Sequence, residues 1–507
     1  MKAIFLSLSI LFCLMQEQSR AQFKAALWES LIDLSPDPDA IRCVRVQPDS
    51  KIVAAGNSYN GIYKTIAVGR FDAGGIPDPS FGMSGDGMVI TSLDSADAFA
   101  NAVALQEDGK IVVAGGYQKD AIADFILARY NPDGSPDSSF GINGIVRTDI
   151  GFGTYDEATT LAIQPDGKIV AAGRLNSTLA LCRYKTDGSL DSSFATNGKF
   201  TGTAPGATCM KLQANGKIVA GCDSVVMRLL PDGNPDLSFG TDGITNLVSR
   251  CADVAIQNDG KIIFAGKAGP PGELYQFALE RLDTLGVPDP GFGVAGLVKT
   301  AGFIEPYYVS NPGQFATAVC IQSDGRMLAS GYTQHGLLAS HHEIGLARYL
   351  ANGLLDSSFG TYGKVILNPL GGGIAVSSYA AVINHNNQLV VAGANYGFSG
   401  MDEWVLVGYD LGPVLGVHTA PGTGGQLTVA PNPAADFARI RATHLENGTW
   451  HLSLCDLAGR VLYRETVVVT NNSLDKSISL AGLPAATYLV TLEHRTGRMT
   501  VKLTKSR

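Results

Sequence analysis

The chain has 507 residues, of which 45% are hydrophobic, only 17% are charged and 60 are glycine. Such a length leaves room for about two to four domains with a large core, and the abundant glycine with little charge favours short strands and tight turns over helices. The formal net charge of −8 is mild and no Lys/Arg cluster opposes it, which excludes nucleic acid as an expected partner.

Residues 1–21 read as a secretory signal peptide. Lys2 supplies the positive start, Ala3 to Met15 an apolar stretch, and Ser19-Arg20-Ala21 a small-x-small cleavage site. The apolar stretch is too short for a membrane-spanning helix and none of suitable length follows, so no transmembrane segment is expected. Phe12 before Cys13 argues against a lipoprotein. Beyond Cys13, seven cysteines remain without a CxxC spacing, poor material for a disulfide framework or a zinc site. Cys43, Cys209, Cys251 and Cys320 stand at even offsets before a recurring glutamine. Strand alternation puts them on one face with Ala102, Ala104 and Ala162, as small buried hydrophobes.

Repeats dominate residues 22–412. Gln106-Glu107-Asp108-Gly109-Lys110 runs into Ile111-Val112-Val113-Ala114-Gly115, and the pattern recurs from Gln47, Gln164, Gln213, Gln257, Gln322 and His385. With the basic residue after the turn as a ruler, the copies fall at Lys51, Lys110, Lys168, Lys217, Lys261 and Arg326, with Gln388 in the last. The spacings are 59, 58, 49, 44, 65 and 62, giving seven units of about 56 residues. A second pattern, Ala128-Arg129-Tyr130-Asn131-Pro132-Asp133-Gly134, leads into Pro136-Asp137-Ser138-Ser139-Phe140-Gly141. It recurs around Phe81, Phe194, Phe239, Phe292 and Phe359. The seventh unit has lost it: Val407-Gly408-Tyr409 carries no arginine and no Ser-Phe-Gly follows.

Asp-Gly between apolar runs is a hairpin signal, and Asn-Pro-Asp-Gly is a second turn. Counted from Phe140, strands are expected near Gly144–Thr148, Thr159–Gln164, Lys168–Gly173 and Ala180–Tyr184. Four short strands per unit predict an all-β, seven-bladed β-propeller whose closed ring removes exposed sheet edges. The closing blade is left open, because strands near Ala25–Leu34 and Trp404–Tyr409 fit one blade or two. The paired patterns resemble the delta-60 repeat family over residues 24–412. That resemblance implies a propeller-like array and no particular activity.

Residues 413–425 read as a Gly/Pro linker, and 426–507 as a small C-terminal β-sandwich. Trp450, Leu452 and Leu454 alternate with outward residues, and further strands are expected near Arg460–Tyr463, Lys476–Leu480, Tyr488–Leu492 and Thr500–Lys505. Ala430-Pro431-Asn432-Pro433, Asp456-Leu457-Ala458-Gly459-Arg460-Val461 and Leu483-Pro484 before Tyr488-Leu489-Val490 resemble the type A C-terminal sorting domain of type IX secretion. Ala486-Thr487 depart from the glycine usual there. The resemblance implies an encounter with the type IX machinery, removal of this domain, and anchoring at the outer-membrane surface or release.

No Ser/His/Asp order, phosphate loop or carboxylate pair stands out, so a non-enzymatic binding or adhesion scaffold is expected. The alternative is an extracellular propeller hydrolase or lyase acting on glycans. The recurring arginine and aspartate, as in Arg129 with Asp137 and Arg348 with Asp356, are read as structural pairs rather than as an anion-binding ring. His335, His341, His342 and Glu343 read as an exposed polar loop, since adjacent histidines on a strand face opposite ways. No cofactor or metal is expected, with calcium at the Asp133–Asp137 turn as the alternative. The longest spacings hold Tyr307, Tyr308 and Tyr332, with Tyr275, Tyr396, Phe398 and Trp404 nearby. Aromatic residues on insertions predict a face on blades five to seven for a glycan or protein ligand.

Overall fold

The computed structural model describes residues 26–35, 39–93, 95–269, 275–301, 303, 313–334, 342–367, 375–396, 402–411, 426–430, 437–443, 445–456, 461–484, 486–494 and 497–505. The expected signal peptide and linker, Tyr307, Tyr308, Phe398, Pro431, Asn432, Pro433 and Gly459 lie outside them. The chain divides into two compact units, Met1–Gly412 and Pro413–Arg507. Regular structure in the described residues is all strand.

In the first unit the described strands form seven four-stranded antiparallel sheets. Sheet two is typical: Asp97–Leu105, Ile111–Lys119, Ile122–Tyr130 and Ile145–Thr148 follow one another outward from an inner strand. Here the count begun at Phe140 is out of phase by one strand. The strand after Ser-Phe-Gly pairs back onto the strand before it, so Ile145–Thr148 is the outer strand of sheet two. A repeat discloses its period, whereas strand pairing alone sets where a sheet begins.

Successive inner strands pack on one another, and the seventh, Ala375–Ile383, packs on the first, Ala40–Val46. Seven apolar clusters lie between neighbouring sheets, the seventh joining Val390, Ala392, Trp404 and Leu406 to Ile41, Val44, Ile52 and Phe71. The sheets thus form a closed propeller ring. Six inner strands carry a one-residue register shift, as between Ala100 and Ala102. Such a bulge bends the strand across its neighbour. In these six sheets the glycine ending the repeated apolar run answers it: a Cβ on Gly115 would lie 1.9 Å from the Phe99 carbonyl oxygen.

One blade closes the ring from both ends of the repeat region. Trp28–Ile32 pairs with Asp402–Asp410 as the outer strand of sheet seven, in the register Trp28 to Gly408. Gly408 occupies the place of the missing arginine, and a Cβ there would meet the Trp28 indole at 2.2 Å. The Ser30 hydroxyl donates to the Gly75 carbonyl at 2.5 Å, and the Trp404 indole N–H to the Asn57 carbonyl at 3.1 Å, both reaching sheet one.

The other sheets are joined by the second repeated pattern. In sheet two Arg129 Nε donates to Asp137 at 2.7 Å, and Lys110 Nζ lies 3.1 Å from the same carboxylate oxygen. The other oxygen accepts the Ser139 N–H and hydroxyl at 3.0 and 2.6 Å. The guanidinium lies 4.4 Å from the Phe140 ring centroid, and its Nη1 donates to the Thr186 carbonyl of sheet three at 2.6 Å. One residue on, the Asp187 carbonyl accepts the Gly141 N–H at 2.9 Å. The arginine bridge to the next unit is repeated from Arg70 to Pro132, Arg183 to Pro231, Arg228 to Thr284, Arg281 to Ala351 and Arg348 to Leu411. Arg348 also holds Asp356 at 2.8 Å, with Arg326 in place of the lysine.

The second unit is a sandwich of a three-stranded and a four-stranded sheet. Its first sheet contains Gln426–Ala430 and Phe437–Thr443, strands for which no expectation was made, paired with Ser473–Ser479. Trp450, Leu452, Leu454, Ile440, Ile478 and Val490 meet in its core. Tyr488 is buried and its hydroxyl donates to the Pro484 carbonyl at 2.6 Å. The turn lacking the usual glycine is closed by the Lys505 N–H, which donates to the Ala486 carbonyl at 2.8 Å.

Two outcomes follow from the ring. Trp28→Ala should destabilise the first unit by about 2 kcal/mol or more through lost apolar burial, measured by denaturant unfolding. An unchanged midpoint would mean that the N-terminal strand does not close the ring. The second concerns acid. Burial opposes the charge on Asp78, Asp137, Asp191, Asp236, Asp289 and Asp356, but hydrogen bonds and the neighbouring cations outweigh it and hold each carboxyl below its usual range. A lowered folded pKa stabilises the fold above the unfolded value of about 4, and that stabilisation is lost as pH falls through the folded values. The thermal midpoint should therefore hold from neutral pH to about 4 and fall steadily below it. A midpoint already falling near pH 6 would assign the acid response to other groups.

Candidate functional site

Antiparallel pairing gives the ring two unlike ends. At one lie the Gln-x-Asp-Gly-Lys and Asn-Pro-Asp-Gly turns with the arginine pairs. At the other the inner strands begin and the second strands end. The turn end is occupied by its own chemistry: Arg129 and Asp137 are 4% and 5% exposed, with their polar atoms engaged as described. Asp133, the other residue considered for calcium, accepts the Ser135 N–H and hydroxyl at 2.9 and 2.7 Å. A cleft of about 590 Å³ between sheets four and five, lined by Gln213, Lys217, Arg228, Ser238, Gln257 and Thr284, belongs to this end.

The opposite end carries a run of aromatic rings across sheets five and six. Phe315 is the second residue of the inner strand Gln314–Ile321, and its cross-strand partner is Tyr332. Their rings stack with centroids 5.0 Å apart, and Tyr332 stacks in turn on His342 at 4.8 Å. Tyr275, just before the strand Gln276–Leu282, lies 5.8 Å from Phe315 on its other side. Lys267 Nζ sits 4.6 Å from the Tyr275 centroid and 4.2 Å from that of Phe315. Burial and the nearby Arg250 push the Lys267 ammonium below its ordinary pKa, while Asp223 opposes them. Arg250 itself is exposed. Burial and then Tyr379 push the Tyr332 phenol up. Tyr379, from sheet seven, lies 4.8 Å beneath the Arg42 guanidinium of sheet one. These four rings, three stacked and Tyr275 tilted, are partly buried, with apolar faces and cations at the same rim.

Tyr332 is therefore on this face, while Trp404 is not. Trp404 is fully buried in the cluster between sheets seven and one, where its indole N–H is already bonded, which corrects its expected place among ligand-binding aromatics. The alternation of Asp402–Asp410 points it inward. His342 likewise begins a strand rather than lying in an exposed loop, and its Nδ1 is 2.8 Å from the Ser377 hydroxyl. Phe315, Tyr379, Lys267, Arg250 and Arg42 escaped the reading of insertions because they stand inside the repeat. A signal was present: nine residues before the ruler the units carry Arg42, Asn101, Thr159, Thr208, Ala252, Thr317 and Tyr379, a position that varies while its surroundings repeat.

Among the described residues one carboxylate group has spacing suited to a metal, that of Asp124, Asp149 and Asp156, with oxygens within 4.8 Å of one another. Asp156 accepts the Ile150 and Gly151 N–H groups at 2.8 and 3.1 Å and the Thr154 hydroxyl at 2.6 Å, while Arg147 holds Asp124. These bonds explain the group as a loop anchor. No described helix is long and apolar enough to cross a membrane.

No curated protein matches the chain. Among solved structures, a catalytically inactive virginiamycin B lyase from Staphylococcus aureus is 11% identical, with a TM-score of 0.39 over 75% of this chain and 98% of that one. The polysaccharide lyase Uly1 is 12% identical, with a TM-score of 0.40 over 75% and 91%. PorZ, a surface component of the type IX secretion system of Porphyromonas gingivalis, is 10% identical, with a TM-score of 0.24 over 92% and 81%. Likenesses this distant carry nothing about activity. The family described as a domain of unknown function (DUF5122) beta-propeller matches residues 47–81, 106–140, 164–194, 213–239, 257–292 and 322–359. The secretion system C-terminal sorting domain matches residues 428–506. The chain thus carries DUF5122 β-propeller repeats, of the delta-60 kind, and a type IX sorting domain that directs it to the cell surface or the extracellular space.

Proposed function

We propose that this propeller is a non-enzymatic binding protein whose aromatic face holds an extracellular glycan. The observation that carries this reading is the stack of Phe315, Tyr332 and His342, with Tyr275 tilted against Phe315 and Lys267 at its edge. Sugar rings present C–H faces that pack on aromatic planes, and partly buried rings held against one another offer such faces at little entropic cost. The adjoining Lys267, Arg250 and Arg42 favour a glycan bearing acidic groups. A protein ligand is the other outcome of the test. The expected signal peptide carries the chain to the periplasm, and the sorting unit engages the type IX machinery, after which its removal leaves the propeller anchored or released.

Replacing Tyr275, Phe315 and Tyr332 together by alanine should weaken binding to acidic glycans on an array by at least about tenfold, equivalent to about 1.4 kcal/mol. Tyr275→Ala alone, at the edge of the stack, should reproduce part of the loss with little change in the thermal midpoint. Unaltered glycan binding in both variants would remove the face from consideration, and binding to a protein in place of glycans would change the ligand class. Separately, deletion of 426–507 should leave the protein in the periplasm of its native host, as followed by cell fractionation. Normal surface display of the truncated chain would contradict the role given to the sorting unit.

A further inference from the structure

The inner strands form the wall of the propeller's bore, and their register assigns seven residues to one level of it. Six residues before the ruler stand Arg45, Ala104, Ala162, Lys211, Ala255, Cys320 and Val382. Each pairs with the same place on its second strand: Val53, Val112, Val170, Val219, Ile263, Leu328 and Val390. Five of the seven are small or aliphatic. The two that are not are cations, from sheets one and four, which stand across the ring from each other.

Lys211 is partly buried, on an inner strand at the wall of the bore. Repulsion from Arg45 is the largest influence on its ammonium, and burial acts the same way, so its pKa is lowered. Asp253 and Cys320, from sheets five and six, and Cys209 of its own strand act the opposite way. Asp253 is the carboxylate among them, and it already accepts the Val319 N–H at 2.9 Å. Arg45 donates one Nη1 hydrogen to the Val44 carbonyl at 2.8 Å. Among the described residues Lys211 has no hydrogen bond or ion pair. Two cations therefore share one level of the bore with a single carboxylate, so that one positive charge stays unbalanced where solvent screening is weak and an anion joining the two would stabilise them.

From this we infer that the bore holds a small oxyanion between Arg45 and Lys211. A guanidinium matches two oxygens of a sulfate, phosphate or carboxylate side by side, and an ammonium supplies a point charge to a third. The site lies within the ring and is independent of the aromatic face.

The test uses the chain without its expected signal peptide, residues 22–507, titrated calorimetrically with sulfate, with phosphate and with acetate at constant ionic strength. Saturable binding of one ion per chain is expected for at least one of the three. In Lys211→Met and in Arg45→Met the affinity should fall by about tenfold or more. Lys211→Arg, which keeps the charge, should retain it. Lys211→Met should also have a higher thermal midpoint than the parent in chloride, because the repulsion is gone. Absence of saturable binding in the parent would overturn the inference. Equal affinity in the parent and Lys211→Met would do the same, by placing the ion elsewhere.

Discussion

The buried arginine of the first six repeats is the interaction on which the first unit depends. Its Nε satisfies an aspartate of its own sheet, its face rests on a phenylalanine of its own turn, and its Nη1 reaches a carbonyl of the next sheet. A buried guanidinium without such partners is costly, and removing one partner of a buried pair typically costs about 3–5 kcal/mol. The second signature is therefore a single device whose parts constrain one another. The aspartate must stand eight residues after the arginine, the phenylalanine must follow, and the neighbouring turn must offer its carbonyl. This coupling explains why the pattern recurs in six units while the segments between them vary from one to the next.

A ring also has to end, and the seventh unit does so by receiving this contact without passing it on. The Leu411 carbonyl accepts Arg348 at 2.8 Å. Where the next arginine would stand, the Trp28 indole covers Gly408. Sheet seven meets sheet one through Trp404, Asn57, Ser30 and Gly75 instead. The first and last segments of the repeat region thus share one sheet, and any local opening of that sheet opens the whole ring. The unlike chemistry of this junction follows from its position, since it must join two chain ends rather than two consecutive units.

The two ends of the ring divide stability from recognition. Turns, ion pairs and their hydrogen bonds fill one end with nearly identical residues in each unit. At the other, bulged inner strands project a different side chain from each sheet, so that Tyr379, Arg42 and the aromatic group around Phe315 come from four sheets to a single rim. The bore follows the same logic: the backbone register is the same in all seven sheets, and its chemistry comes from the two units that depart from small residues.

Much of this could be read in the sequence. Strand content, the hairpin at Asp108-Gly109, the arginine–aspartate pairing and the sorting motif are local, because each depends on residues within about ten positions of one another, where turn geometry and strand alternation act. The phase of the sheets was not local, since Ile145–Thr148 chooses its partner by pairing rather than by composition. Nor was the placement of Trp404, Trp28 and Gly408, which meet only when the ring closes. The meeting of Tyr275 with Phe315, and that of Arg45 with Lys211 in the bore, join residues 40 and 166 positions apart. Sequence by itself determined the repeating unit and its destination, since short-range backbone chemistry and a contiguous sorting motif carry both. Which side chains share a surface was decided by tertiary structure alone, because curvature and closure of the ring bring distant strands to one level.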